Sequence, residues 1–439
     1  MKRYLAIGSI LTFSVLLAGC AYNRYPTLNS DYTKETWSSQ IDRNPTKWTK
    51  GADRWFMTGG DPNSTEMANR NAPDSAAIST MMVRVPDFTK IISSGAFQVQ
   101  IFGTYDNNSV YVYGPNSDVR ETMVKVRGDT LYLGQSDRAG REMRKVIIRV
   151  GVANLKKIVQ QGSGTIEAIQ IPSSAMTVVS NGSGDMYLAG NMNLSEVTAN
   201  GSGRVSIFGA NTPKLDIKTS SMATVNVSGR VGLHSVEHHG KGDINVIGAF
   251  SNQLNIIADG RGKVGISGFV NLKEIKARDY VSVYINEVNG GALYVYADDY
   301  SKVGLAGGVD DLYVYTSGGS DFYGRYLLTR NAFIKAQGNS HVNVTANNKI
   351  FAAAIQSATI YFFGEPRLMS QFVSGNGTVI PVWTDSPVPY RRQSLNRRVY
   401  KDSFQGSGAT SFRSPYKYRW QGGKLISTPV DGSADPVMG

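Results

Sequence analysis

Three stretches decide the fold: Ile158-Val159-Gln160-Gln161-Gly162-Ser163-Gly164-Thr165-Ile166, Val178-Val179-Ser180-Asn181-Gly182-Ser183-Gly184-Asp185-Met186 and Val197-Thr198-Ala199-Asn200-Gly201-Ser202-Gly203-Arg204-Val205. Each is an alternating apolar run, a Gly-Ser-Gly turn, and a second alternating run. Taking the first turn residue as an anchor, the pattern continues through Ser221, Gly240, Gly260, Asp279, Asp299, Gly318, Gly338, Gln356 and Gly375, in steps of 18 to 20 residues. The columns around the anchors agree. Four before them stand Ile158, Val178, Val197, Ile217, Val236, Ile256, Ile275, Val295, Val314 and Ile334; four after them come Ile166, Met186, Val205, Val225, Ile244, Val264, Val283, Val303, Phe322, Val342, Ile360 and Val379. Two before the anchor the residues are mostly small, and eight after it Gly recurs at Gly190, Gly209, Gly229, Gly248, Gly268 and Gly307.

A period-2 alternation turns one side of each strand inward. A longer period of 19–20 residues with identical columns means that each turn of chain stacks its residues on the same residues of the next. The reading is all-β: a parallel β-helix of about twelve regular coils, roughly 58 Å long at a strand spacing of ~4.8 Å. Upstream runs at Phe97–Ile101, Val110–Tyr113, Met123–Val126 and Leu131–Leu133 supply first coils and a cap against edge pairing.

The chain has 439 residues, 47 Gly, four His and a single Cys. One Cys excludes an intrachain disulfide and a Cys-built zinc site. The formal charge of +12 suits an acidic partner or surface. The N-terminus opens with Lys2-Arg3, followed by an uncharged stretch too short to span a bilayer as a helix and by Leu17-Ala18-Gly19-Cys20. That end resembles a bacterial lipobox, which implies cleavage after residue 19, acylation of Cys20 (palmitate among the chains) and a membrane anchor. Ala21, a residue other than Asp, implies outer-membrane sorting on the same resemblance. The organisation expected is therefore a signal peptide at 1–19, a polar tether at 20–82, the β-helix at 83–383 and a basic, aromatic-rich tail at 384–439.

Ser94-Gly95-Ala96-Phe97-Gln98-Val99-Gln100-Ile101, Arg127-Gly128-Asp129-Thr130-Leu131-Tyr132-Leu133 and the Gly-Ser-Gly coils resemble the DUF2807 family of autotransporter-adhesin head, or GIN, domains. The resemblance spans roughly 83–383 and implies a right-handed parallel β-helix and an adhesin-like role. It departs from the pattern where the anchors lose Gly, at Ser221, Asp279, Asp299 and Gln356.

Three places could carry function. Outward columns of the late coils read Tyr294, Tyr313, Phe333 and Phe351, with Tyr296 and Tyr315 beside them, where earlier coils carry Glu196, Asp216, Lys218 and Glu237. Stacked outward aromatics predict a flat platform for sugars or a protein; they would also serve simply to stabilise the sheet. Asp279 and Asp299 share the anchor column on adjacent coils, a spacing compatible with a polysaccharide-cleaving carboxylate pair. Asp259, Arg278 and Asp298 run beside them, so a charge-compensated turn ladder is the competing reading. The tail carries Arg391, Arg392, Arg397, Arg398, Lys401, Arg413, Lys417 and Arg419 among interleaved aromatics. With an export signal present, an envelope protein or an anionic polymer such as cell wall or lipopolysaccharide is its expected partner, not nucleic acid. His238 falls in the inward small column, which points to packing, and no cofactor or metal motif occurs. The expected function is a non-catalytic binding or assembly scaffold of the envelope, with a polysaccharide-processing enzyme as the alternative.

Overall fold

The computed structural model describes residues 78–104, 108–136 and 146–382, and the backbone of residues 416–421 and 424–429. The described chain forms a parallel β-solenoid of about 12 turns. The pairings follow the columns rung by rung. Ile158 pairs with Val178, Val178 with Val197, and the series continues through Ile217, Val236, Ile256, Ile275, Val295, Val314 and Ile334 to Ala352. The second column runs likewise from Ile166 to Val379. The first column from Ile158 to Ala352 and the second from Ile166 to Ile360 are buried and make up much of one continuous core. The reason is geometric: a single coil has no second layer to cover its inward side chains, so each is covered by its counterparts one rung away.

Two corners shape each coil. At one, the anchors Ser221, Asp279, Asp299 and Gln356 take φ of 60 to 65°, the left-handed region that Gly260, Gly318, Gly338 and Gly375 enter without strain. At the other, Gly190, Gly209, Gly229, Gly248, Gly268 and Gly307 have φ between 78 and 142°. The ladder slips register there, so the corner absorbs the one-residue differences in coil length.

The N-terminal end is closed, in an order the repeat does not announce. Thr130–Gln135 lies outside Lys90–Ser93, which in turn stacks on Lys157–Gln160; Ile147–Val152 lies outside Gln98–Gly103 in the same way. The outermost coil is thus built from later sequence. Over it fold antiparallel strands, Ser109–Pro115 against Ile147–Val152 and Thr122–Arg127 against Thr130–Gln135, with a short helix Asn116–Glu121 that buries Val119. Ile78–Val83 pairs with Ser109–Pro115, and Met81 and Val83 pack on the core. The tether boundary expected at 82/83 therefore falls too late: this strand belongs to the cap because it supplies apolar cover to the end coil.

The other end differs. Leu368–Gly375 pairs with His341–Gln356 on one side, and all eight of its residues are exposed. Met369, Gln371 and Val373 continue inward columns, but among the described residues no further coil lies over them.

Candidate aromatic face on the late coils

The outward columns fall where the alternation puts them, because a strand residue next to an inward one must point away. Tyr294, Tyr313, Phe333 and Phe351 form one continuous stack, with successive centroids 4.7, 4.8 and 5.2 Å apart and interplanar angles of 2 to 10°. Tyr296 and Tyr315 form a second at 5.2 Å and 8°. The rung spacing of a parallel sheet is close to the preferred ring separation, so identical rotamers on successive coils stack without strain. Desolvation among these rings, reinforced by Asp311, Tyr294 and Tyr315, pushes the Tyr313 hydroxyl above its ordinary range.

This geometry changes what the face can do. Stacking a sugar on a ring requires a ring face turned to solvent. In the stacks each face is covered by the next ring, and solvent meets ring edges. Faces come free only where a stack stops. On the N-terminal side the second stack is closed by Lys276, whose ammonium lies 6.0 Å over the Tyr296 ring and 3.0 Å from Glu274. On the C-terminal side that column continues from Tyr315 to Lys335, Ala353 and Phe372, and the first continues from Phe351 to Ser370. Where large rings give way to Ala353 and Ser370 there is a cavity of about 280 Å³, lined by Tyr315, Phe333, Lys335, Phe351, Ala353 and Phe372 among others. Tyr315 is 41% and Phe372 59% exposed.

Sequence reasoning passed over Lys335 and Phe372, although both stand in the Tyr296 column; the signal was the interruption of that column. It also passed over Tyr280 and Tyr300, one residue after the anchors, which stack at 5.2 Å and 8° with Arg261 lying 5.1 Å over Tyr280.

The acidic pair is engaged otherwise. The Gly260 N–H donates to Asp279 at 3.0 Å and the Asp279 N–H to Asp299 at 3.3 Å, so each carboxylate reaches back one coil to tie the left-handed turns together. Beside them Arg278 lies 3.9 Å from Asp298, the Ser317 hydroxyl donates to Asp298 at 2.7 Å, and His239 and Asp259 stand 2.8 Å apart. This is the arrangement of a turn ladder. His238 is fully buried in the small column, with Nδ1 2.7 Å from the Thr219 hydroxyl. Burial pushes its imidazole down to about 4, with Asp259 opposing and His239 assisting. Among the described residues no group of His, Cys, Asp and Glu could hold a metal ion, and no helix is long and apolar enough to cross a membrane.

Cys20 and the tail residues Arg391, Arg392, Arg397, Arg398, Lys401 and Arg413 lie outside the described residues. Lys417 and Arg419 fall in Tyr416–Gln421, which forms an antiparallel hairpin with Lys424–Pro429.

The family described as "Putative auto-transporter adhesin, head GIN domain" (DUF2807) matches residues 87–269 and 270–366. No curated protein matches the chain. Among solved structures, the chain is similar to a putative adhesin from Bacteroides fragilis at 17% identity and a TM-score of 0.22, over 70% of this chain and 97% of that one. A putative lipid binding protein from Parabacteroides distasonis gives 14% and 0.24, over 72% and 98%. A putative adhesin from the same organism gives 16% and 0.29, over 70% and 98%.

Proposed function

We propose, for a chain that belongs to the DUF2807 family of GIN domains, a non-catalytic, adhesin-like role in which the late-coil aromatic face holds the partner of a lipid-anchored rod. The observation that carries this is the outward stack Tyr294, Tyr313, Phe333 and Phe351 with its neighbour Tyr296 and Tyr315. On earlier coils the Tyr294 column is charged or polar throughout, from Lys157 to Glu274, and the Tyr296 column mixes charged and polar residues with Val159, Val179 and Ile257, so the rings of these two columns are confined to the late coils. An apolar strip on an otherwise polar surface is the usual mark of a docking site. The engagement of Asp279 and Asp299 with backbone N–H groups supports the scaffold over a carbohydrate-cleaving enzyme.

The anchor in this reading is Cys20, on the lipobox-like run Leu17-Ala18-Gly19-Cys20. Several acyl chains on one residue give a firm hold, since each buried CH₂ contributes about 0.8 kcal/mol. The outer membrane is the proposed location, and the basic tail (Arg391, Arg392, Arg397, Arg398, Lys401, Arg413, Lys417, Arg419) adds attraction for an anionic polymer or envelope protein. The test has two arms. In the first, the full chain and a Tyr294→Ser/Tyr313→Ser variant are compared for the material that each retains from envelope extract. Retention falls in the variant while thermal unfolding stays close to that of the parent; equal retention overturns the docking face. In the second, Cys20→Ser is followed by fractionation. The variant accumulates as uncleaved precursor or in soluble fractions, and normal maturation with membrane retention overturns the anchor.

A further inference from the structure

The interrupted column beyond Tyr315 has a chemistry of its own. Its rungs are Tyr296, Tyr315, Lys335, Ala353 and Phe372. At ~4.8 Å per rung, Lys335 and Phe372 stand about 9.6 Å apart with Ala353 between them. That gap is one missing ring: a ring placed over Ala353 would lie at ordinary stacking distance from Phe372 on one side and within reach of Lys335 on the other. Phe333 and Phe351 form the lateral wall, and Ser370 offers a hydroxyl at the far edge.

Lys335 differs from its counterpart at the other end of the stack. Lys276 is held by Glu274 and lies over Tyr296. Lys335 is exposed and has neither an ion-pair partner nor a ring contact among the described residues. An uncommitted ammonium beside a one-ring gap selects for a ring that bears a negative charge. The slot is shallow and open along the face, so it accepts one unit of a chain that continues past it. It is too open to bury most of a small ligand, as a deep pocket does. The apolar face of a pyranose lies against an aromatic ring while its hydroxyls stay in water, and a carboxylate on that ring supplies the charge.

We infer that the slot between Lys335 and Phe372, floored by Ala353, is a subsite for a single carboxylate-bearing sugar ring of an acidic polysaccharide. This rests on the late-coil face being the docking surface and adds the class of ligand.

The test uses the full chain with trigalacturonate as probe and neutral galactotriose as its uncharged counterpart, with binding followed by calorimetry and saturation-transfer NMR. The parent protein prefers trigalacturonate. Lys335→Met reduces trigalacturonate affinity about tenfold, the loss expected for one charge-assisted hydrogen bond, and leaves galactotriose unchanged. Ala353→Phe fills the missing rung from the protein itself; it continues the ladder, keeps the fold by circular dichroism and abolishes binding. Equal affinity for the acidic and neutral probes, no binding of either, or undiminished trigalacturonate binding by Ala353→Phe overturns the subsite. The docking-face reading has its own readout. If Tyr294→Ser/Tyr313→Ser loses envelope material while trigalacturonate does not bind, the face stands and the subsite falls. If that variant retains envelope material as the parent does, the face falls with it. A probe retained by Ala353→Phe but lost on cleavage of residues 384–439 reports the basic tail as its holder, and also overturns the subsite.

Discussion

The early and late coils share one period and one rung spacing, yet they turn their first corner in different ways. In the early coils the Gly-Ser-Gly anchors stay outside the left-handed region, and glycine is required by the neighbour: a Cβ on Gly182 would overlap the carbonyl oxygen of Gly162, and one on Gly184 that of Gly164. In the late coils the anchors add a left-handed torsion, φ of 94° at Gly260, 68° at Gly318 and 76° at Gly338, which a residue with a side chain can also meet. Asp279, Asp299 and Gln356 meet it at φ near 60° with exposed side chains, and Ser221 does so already on an earlier coil. A corner constrained by its neighbour has no room for a side chain, whereas one constrained only by torsion does. The late coils use that room, for carboxylates that tie turns together and for the Tyr280 and Tyr300 pair beside them.

The sharpest way to break this distinction is Gly184→Ala. The new methyl group meets the Gln160 side-chain amide and the Gly164 carbonyl of the adjacent coil, and that carbonyl cannot give way without parting two rungs. The expected loss is about 3 kcal/mol, the upper end for overpacking, read from the urea midpoint. A loss below about 0.5 kcal/mol, the scale of an ordinary surface substitution, would remove the distinction.

A comparable effect is expected at the second corner, where Glu287 replaces glycine with φ at 59° and is only 4% exposed. Desolvation pushes its carboxyl up to about 7. Between pH 4.5 and 7 the native state therefore holds a proton that the unfolded chain has lost, and stability falls as pH rises through that window, by roughly 3 kcal/mol in all. Glu167 acts in the same sense, with its carboxyl also near 7, and His238 in the opposite sense between pH 4 and 6.5. The measurement is accordingly the difference between parent and Glu287→Gln. The variant gains stability relative to the parent on going from pH 5 to pH 7.5, and an unchanged difference refutes the assignment.

The smallest effect belongs to Asp299→Gly. Glycine relieves the left-handed torsion while the hydrogen bond from the Asp279 N–H is lost. The two contributions are each about 1 kcal/mol and opposed, so the midpoint moves by less than about 0.5 kcal/mol.

The columns from Ile158 to Ile360 were legible because stacking repeats one set of physical demands, and a demand repeated a dozen times shows through the variation of any single coil. The cap was less so. Nothing in Leu131-Tyr132-Leu133 says that it stacks outside Ile91 rather than after it, since the pairing depends on a crossing of the chain and not on a period. The orientation of the rings was hidden for another reason. A column of aromatics reads the same whether its members show faces or edges to water, and only the rotamers decide between them. Lys335 and Phe372 were visible as letters, but the space over Ala353 becomes a feature only once its neighbours are known to stack.

The rung-by-rung register also sets how such a molecule can change its reach. A one-residue insertion within a strand would turn every following side chain to the opposite face. The glycine corner tolerates a residue more or less, as its register slips record. A duplicated coil of 19 or 20 residues disturbs neither column. It displaces everything beyond it by ~4.8 Å along the axis. The distance between the capped end and the aromatic face is thus adjustable only in whole steps, like the links of a chain, and each step leaves the face itself untouched.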